Sequence, residues 1–324
     1  MRYYRIEIRD AGAANDAEPF AVYTSYVNGE TDPGALQVEL DIPTAAYALA
    51  LGAAFVRIWG VDLRVISQAT DFNGKSIRVF GGMQKGLPLA DPAQSGLLVE
   101  GKIIQAFGNW IDTNMTLDLM ITVADGSPEE PSNVVFDWKA GSSFSEALIS
   151  TLNTAFPDYG VSVTVSDKIV TNADVAGYYQ SVTQFAQYVK ETSKSIVGGE
   201  DYQGVDIVLR ENTFYVYDGS TPDEPKEISF NDLIGQPTWI GPQTIQISAV
   251  MRADLRVGSF IKLPKTPVTT TPQSLSQYRD ASVFTGTFQV QSLRHVGDFR
   301  SPSATSWVTI MEAYPYVQAE AETP

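Results

Sequence analysis

Histidine occurs once in the 324 residues, at position 295 within His295-Val296-Gly297-Asp298. A Ser-His-Asp relay would have to pass through that single imidazole. A zinc site would need further His or Cys partners, and the chain has no cysteine. His295 therefore reads as a hydrogen-bonded structural residue. Adjacent carboxylates occur at Glu129-Glu130, Glu200-Asp201 and Asp223-Glu224. All three pairs lie in turn-rich, solvated stretches, whereas glycoside hydrolysis needs two carboxylates held in one cleft in contrasting environments. Asp71-Phe72-Asn73-Gly74 supplies only part of a calcium loop and reads as a turn. Gly81-Gly82-Met83-Gln84-Lys85-Gly86 has the glycines of a phosphate loop but not its Gly-Lys-Ser/Thr ending or a following helix, so it reads as a flexible loop. No catalytic residue, cofactor-binding residue or metal ligand is assigned, and the expectation is a protein that is not an enzyme and uses no cofactor.

Composition narrows the classes further. Hydrophobic residues make up 44% of the chain, enough for a sizeable core, so disorder is excluded. Fifteen Tyr and fifteen Phe favour strands, and 25 Gly with 18 Pro supply turns for many of them. The formal net charge is −16, which argues against binding nucleic acid through phosphate neutralisation. An acidic wall would instead repel DNA and let it slide past. The absence of cysteine removes disulfides and thiolate chemistry and fits folding in the cytoplasm. The first residues lack the apolar core of a signal peptide. The most apolar stretch, residues 45–58, is interrupted by Gly52 and Arg57 and is too short to span a membrane.

The elements follow from periodicity. Residues 2–9 alternate Tyr4, Ile6 and Ile8 against Tyr3, Arg5, Glu7 and Arg9, a strand with one apolar face. Strands are expected at residues 20–26, 36–42, 55–61, 76–80, 97–107 and 115–123, with a short helix at 47–54. This spacing predicts an antiparallel meander closed into a barrel or sandwich over residues 1–124. The stretch at 125–133, DGSPEEPSN, reads as a linker. Beyond it the period changes. Ser143 with Glu146 and Ser181 with Gln184 form capping boxes that open amphipathic helices. Residues 134–217 read as a small α/β unit whose two helices cover one face of a small sheet. After a second linker at 219–225 the chain turns all-β again over 228–317, and 318–324 form a loose tail. We find no sequence repeat between the two β-rich segments, although both fit one architecture.

The organising stretch of that last segment is IGQPTWIGPQTIQISAVMRADLRVGSFIKLP, residues 234–264. It reads as Gly-Pro turns, a strand alternating Ile245, Ile247 and Ala249 with Thr244, Gln246 and Ser248, a charged turn at 252–256, and a strand at 260–263 stopped by Pro264. Later come Gly286-Thr287-Phe288-Gln289-Val290, then Leu293-Arg294-His295-Val296-Gly297-Asp298, then Ser306-Trp307-Val308-Thr309. In order and spacing these motifs resemble the hub proteins of contractile phage baseplates, which join the tail tube to the central spike. The resemblance covers residues 228–316 and reads the closing motifs as strand, His-x-Gly-Asp loop and Trp-x-Thr strand.

The resemblance implies a β-rich α+β chain with two tail-tube-like antiparallel β-barrel or sandwich domains flanking a small α/β insert. It implies a structural baseplate hub subunit. Three chains, each giving two tube-like domains, would form a pseudo-sixfold ring between a sixfold tube and a threefold spike, lining the channel for DNA ejection. The implied partners are a homotrimer, the tail tube protein, the central spike protein and other baseplate proteins, with DNA passing unbound. The chain would be made in the host cytoplasm and reside in the virion. Candidate partner contacts are the loops at 81–86, 266–277 and 295–304. A second reading, from a different class, is a secreted or surface β-sandwich module that binds glycans or proteins, with Trp110, Trp239 and Trp307 as stacking platforms.

Overall fold

Alternation of apolar and polar residues builds most of the molecule. The computed structural model describes residues 1–14, 16–49, 53–84, 92–122, 133–199, 202–210, 213–221, 223–264, 284 and 286–316. Its first part holds β1 (Arg2–Arg9), β2 (Ala21–Thr24), β3 (Tyr26–Val27), β4 (Glu30–Thr31), β5 (Gln37–Ala45), β6 (Ala54–Trp59), the short helix α1 (Leu63–Ser67), β7 (Ser76–Met83), β8 (Gly96–Ile111) and β9 (Asn114–Thr122). Tyr4, Ile6 and Ile8 of β1 point inward as their spacing predicts, beside Val56, Ile58, Ile77, Val79, Leu117 and Leu119. Residues 47–49 form a turn where a helix was expected. Tyr47 and Ala48 instead pack into the core of the middle segment, and the Tyr47 N–H donates to the Ile207 carbonyl (2.9 Å). The rest of that predicted helix lies partly outside the described residues.

The middle segment contains β10 (Val134–Trp138), α2 (Phe144–Ala155), β11 (Gly160–Thr164), β12 (Val175–Tyr179), α3 (Val182–Val197), β13 (Asp206–Arg210) and β14 (Thr213–Tyr217). Both helices start where their caps require. Ser143 Oγ accepts from the Glu146 N–H and Ser181 Oγ from the Gln184 N–H, and Gly198 at φ +67° ends α3. The expected single sheet is in fact two. β10 pairs with β12, and β11 lies parallel to β14, which pairs with β13. β12 carries no apolar alternation, and both of its ends are set by pairing with β10, so the sequence pattern hides it.

The last part holds β15 (Lys226–Glu227), β16 (Thr238–Gly241), β17 (Thr244–Val250), β18 (Phe260–Leu263), β19 (Gly286–Asp298) and β20 (Trp307–Tyr316). These strands and the first part share one mostly antiparallel 13-stranded sheet, running β16-β17-β20-β19-β5-β6-β9-β8-β7-β1-β2, with β18 beside β19 and β15 beside β18.

That order contains a duplication. The run β5-β6-β9-β8-β7-β1 has the same order as β16-β17-β20-β19-β18-β15, element for element along the chain. Details repeat as well. β8 has a bulge between Ile103 and Gln105, and β19 has one between Val290 and Ser292. Beside the first bulge the Gly74 N–H donates to the Ile103 carbonyl (2.8 Å) and the Ile103 N–H to the Lys75 carbonyl (2.9 Å). Beside the second, Gly258 donates to Val290 (2.7 Å) and Val290 to Ser259 (2.9 Å). Both glycines have positive φ, +79° and +86°. Gly60 N–H to Met115 O (2.8 Å) is matched by Met251 N–H to Trp307 O (3.1 Å). Two differences stand out. β1 runs antiparallel to β7 but β15 parallel to β18. The connection from Gly60 to Gly74 is also longer than that from Met251 to Gly258, and the extra length holds α1.

The two repeats meet along β19. Its first four residues pair with β18 on one side, and after the bulge β5 takes over that side, from Ser292↔Ala45 to Asp298↔Glu39. The repeats therefore join edge to edge.

Candidate functional site

The residues that the sequence singled out converge on the seam between β19 and β20. His295 was expected on a loop or strand end; it lies inside β19, which runs on to Asp298, opposite Thr309 and Ile42. Strand partners on both sides satisfy the backbone here, and this overrides the turn tendency of Val-Gly-Asp. The imidazole is 2% exposed, and its Nδ1 lies 2.9 Å from Thr309 Oγ1. That hydroxyl accepts from the Arg252 N–H (2.9 Å) and donates to the Arg252 carbonyl. The Arg252 guanidinium, also buried, grips Asp254 through Nε and Nη2 (3.0 and 2.7 Å) and reaches the Glu227 carbonyl through Nη1 (3.1 Å). The charged turn at 252–256 and the His and Thr motifs thus form one buried cluster. Burial drives the His295 imidazole down to about 4, so it is neutral at pH 7. Sealed from solvent and without a carboxylate partner among the described residues, it is placed to hold strands together.

The other sequence candidates are dispersed. Gly81, Gly82 and Met83 belong to β7 and pair with β1, so this part of the expected loop is strand; residues 85 and 86 lie outside the described residues. Residues 266–277 also lie outside them, as do Glu129, Glu130, Glu200 and Asp201. Asp223 and Glu224 are exposed. Among the described residues no group of three His, Asp or Glu side chains is placed to hold a metal, and no helix is long and apolar enough to cross a membrane.

The loop at 299–304 is present but occupied internally. The Arg2 guanidinium donates to the carbonyls of Asp298 (2.8 Å), Phe299 (3.2 Å), Ser301 and Ser303 (2.8 Å). Phe299 packs edge-on against Tyr4 at 4.9 Å and against Trp307 at 6.0 Å, and the Trp307 indole N–H donates to the Gly82 carbonyl (2.9 Å). Most of this loop's polar backbone is therefore committed within the chain.

What sequence reasoning missed are two strand edges. Past Lys102, where pairing with β7 stops, β8 has β9 on one side and no strand on the other among the described residues. Ile104, Phe107, Trp110 and Ile111 are exposed there. Among the described residues β16 pairs only with β17; Trp239 and Ile240 are exposed, with Trp239 stacked on Phe284 at 5.9 Å. Exposed apolar residues on an open edge are an unusual combination, because such edges invite pairing with another chain.

No protein-family model and no curated protein matches the sequence. Among solved structures, the 43 kDa tail protein of prophage MuSo2 from Shewanella oneidensis superposes with a TM-score of 0.51 at 6% identity, covering 97% of this chain and 97% of that one. The fold is that of a phage tail protein. A tail protein from Neisseria meningitidis MC58 is similar at a TM-score of 0.49 and 10% identity, with 96% of each chain covered. An E. coli component of the type VI secretion system, described as structurally similar to the T4 bacteriophage tail proteins gp27 and gp5, is similar at 0.48 and 9% identity, over 87% of this chain and 74% of that one. The β-rich tail-protein fold implied by the motifs at 228–316 is the fold the chain adopts.

Proposed function

We propose that this chain is a structural subunit of the baseplate hub of a contractile phage tail. Three copies form a ring that adapts the sixfold tail tube to the threefold spike and leaves a channel for DNA. The observation that carries the reading is the duplicated strand order within one tail-protein fold. A chain with two equivalent β units presents six of them when three copies assemble, which matches six to three without a second protein. In this reading residues 1–124 and 228–317 are the tube-like units, 134–217 is an insert outside the ring and 318–324 is a tail. The tube protein, the spike and other baseplate proteins are the partners, and the net charge of −16 favours a channel wall that repels DNA. The chain acts as a structural part and not as an enzyme.

Quantitative mass spectrometry of purified particles, counting this chain against tube and sheath proteins, tests the reading. About three copies per particle is the expected result for a threefold ring. Copies in the tens or hundreds would make it a tube or fibre component, and absence from particles would overturn a virion role.

A further inference from the structure

The sequence contains two Asn-Gly pairs, Asn28-Gly29 and Asn73-Gly74, and both asparagines are exposed to solvent. In such a pair the glycine nitrogen can reach the asparagine side-chain carbonyl carbon through a five-membered ring, and glycine has no Cβ to crowd the approach. Access does not separate the two sites, so restraint by the fold must. We infer that Asn28, and not Asn73, is a site of spontaneous deamidation and isomerisation in the folded chain, because only at Asn28 are both reacting groups free to meet.

Asn73 is pinned on every side. Its Oδ1 accepts from the Ala106 N–H (2.7 Å), its own N–H donates to the Thr70 carbonyl (3.1 Å), and the Gly74 N–H that would attack donates to the Ile103 carbonyl (2.8 Å). Bringing the Gly74 nitrogen to Asn73 Cγ breaks at least two of these bonds. Asn28 and Gly29 are the two residues between β3 and β4, at φ +52° and +85°, as a tight hairpin turn requires. Neither the Asn28 side chain nor the Gly29 N–H has a hydrogen-bond partner among the described residues. The hairpin itself is slight, with β3 and β4 paired only through Tyr26↔Thr31 and Val27↔Glu30. Strands this short open at little cost. At the base, the Asp32 N–H donates to the Ser25 carbonyl (2.9 Å) and the Ser25 N–H to the Tyr4 carbonyl (3.0 Å), so the opening stops before it reaches the large sheet.

In the reaction the Gly29 nitrogen bonds to Asn28 Cγ, the Cγ–Nδ2 bond breaks, and the amide leaves as ammonia with the Gly29 proton. Water then opens the cyclic imide. Attack at Cγ releases the Gly29 nitrogen from the side chain and gives aspartate; attack at the Asn28 backbone carbonyl carbon gives isoaspartate, with the chain running on through the side-chain carbonyl. No oxidant, reductant or second protein is needed. Either product adds a negative charge two residues from Glu30, and isoaspartate also lengthens the backbone inside a turn whose pairing allows only two residues. The inference does not depend on the hub reading.

The purified chain, folded and in denaturant, is held at mildly alkaline pH and sampled over time. Released ammonia is assayed, and peptide mapping follows aspartate and isoaspartate at positions 28 and 73. In denaturant both sites should convert, since each precedes glycine. Relative to that reference, the folded chain should favour Asn28 over Asn73 by on the order of tenfold or more, the ratio that two additional hydrogen bonds imply. Asn28→Gln, a change at an exposed turn position, should remove the fast ammonia release from the folded chain. Equal preference in the folded and unfolded chains, faster loss of Asn73, conversion at neither site in the folded chain, or fast ammonia release that survives Asn28→Gln would each overturn the assignment.

Discussion

Neutral His295 costs the fold nothing at pH 7, but acid makes it a liability. Its folded value is lowered to about 4 from the ordinary 6.5, so between those values the unfolded chain takes up a proton that the folded chain refuses. Stability present above pH 6.5 is therefore lost as pH falls through that window, by on the order of 3 kcal/mol in total. His295→Gln removes the titrating group. We expect the variant to be less stable than the parent at pH 7 and to lose less stability between pH 7 and pH 4.5, measured by urea unfolding at each pH. Equal slopes for the two proteins would exclude His295 as a contributor. Arg2 makes a second residue-scale prediction. Four carbonyls of the 298–303 segment accept from its guanidinium. Arg2→Ala should cost about 2 kcal/mol and raise amide exchange selectively across residues 298–306.

At the scale of elements, the two equivalent glycine turns offer a controlled comparison. Gly74 and Gly258 share a left-handed conformation and the same pair of backbone hydrogen bonds. A Cβ on Gly74 meets only the end of Lys102 at 4.0 Å, whereas one on Gly258 would lie 2.6 Å from the Tyr217 ring. Gly74→Ala should therefore cost about 1 kcal/mol, the conformational penalty alone, and Gly258→Ala clearly more. Thermal melts of both variants check the order, and the reverse order would contradict the packing at Tyr217. This pair also shows what the sequence could and could not reveal. β1 and β17 were legible because their alternation is clean, and α2 and α3 because serine caps and apolar stripes agree. The motifs around Arg252, His295 and Thr309 were legible as a set, and the fold brings them together. The duplication was not, because it resides in pairing order and bulge positions, which Gly74-Lys75-Ser76-Ile77 and Gly258-Ser259-Phe260-Ile261 share without an obvious string match. Nor were the open edges, since whether a strand has a neighbour is a tertiary fact. The unbroken run of β19 through His-Val-Gly-Asp was hidden for the same reason.

For the whole molecule, the β5–β19 seam means that the two repeats should not unfold independently. Leu293 is buried in β19 opposite Thr44 and Met311. Leu293→Ala should cost about 2–5 kcal/mol and lower amide protection in both β5 and β20 together. Loss confined to β20 would show that the repeats open separately. The middle segment has a core of its own, in which Trp138, Phe144, Phe136 and Phe185 are fully buried. Val208 of β13 joins the core that holds Leu293 and Tyr217 packs beside it, whereas the apolar stripes of α2 and α3 lie in the separate core, so the same substitution should leave protection in α2 and α3 largely unchanged.

The seam also imposes a timetable on biosynthesis. The Arg294–Asp41 pair that spans it joins positions 253 residues apart. While the chain is being made, β5 emerges long before the strand that covers it, with the whole middle segment still to come. Its edge stands open during that interval, and contacts of such separation form slowly. A nascent chain therefore passes through a stage in which the edge of β5 is available, and release of the last strands withdraws it. Folding thereby filters which edges a finished subunit can offer: an unfinished chain presents β5 to any neighbour, and a completed one has it covered by β19.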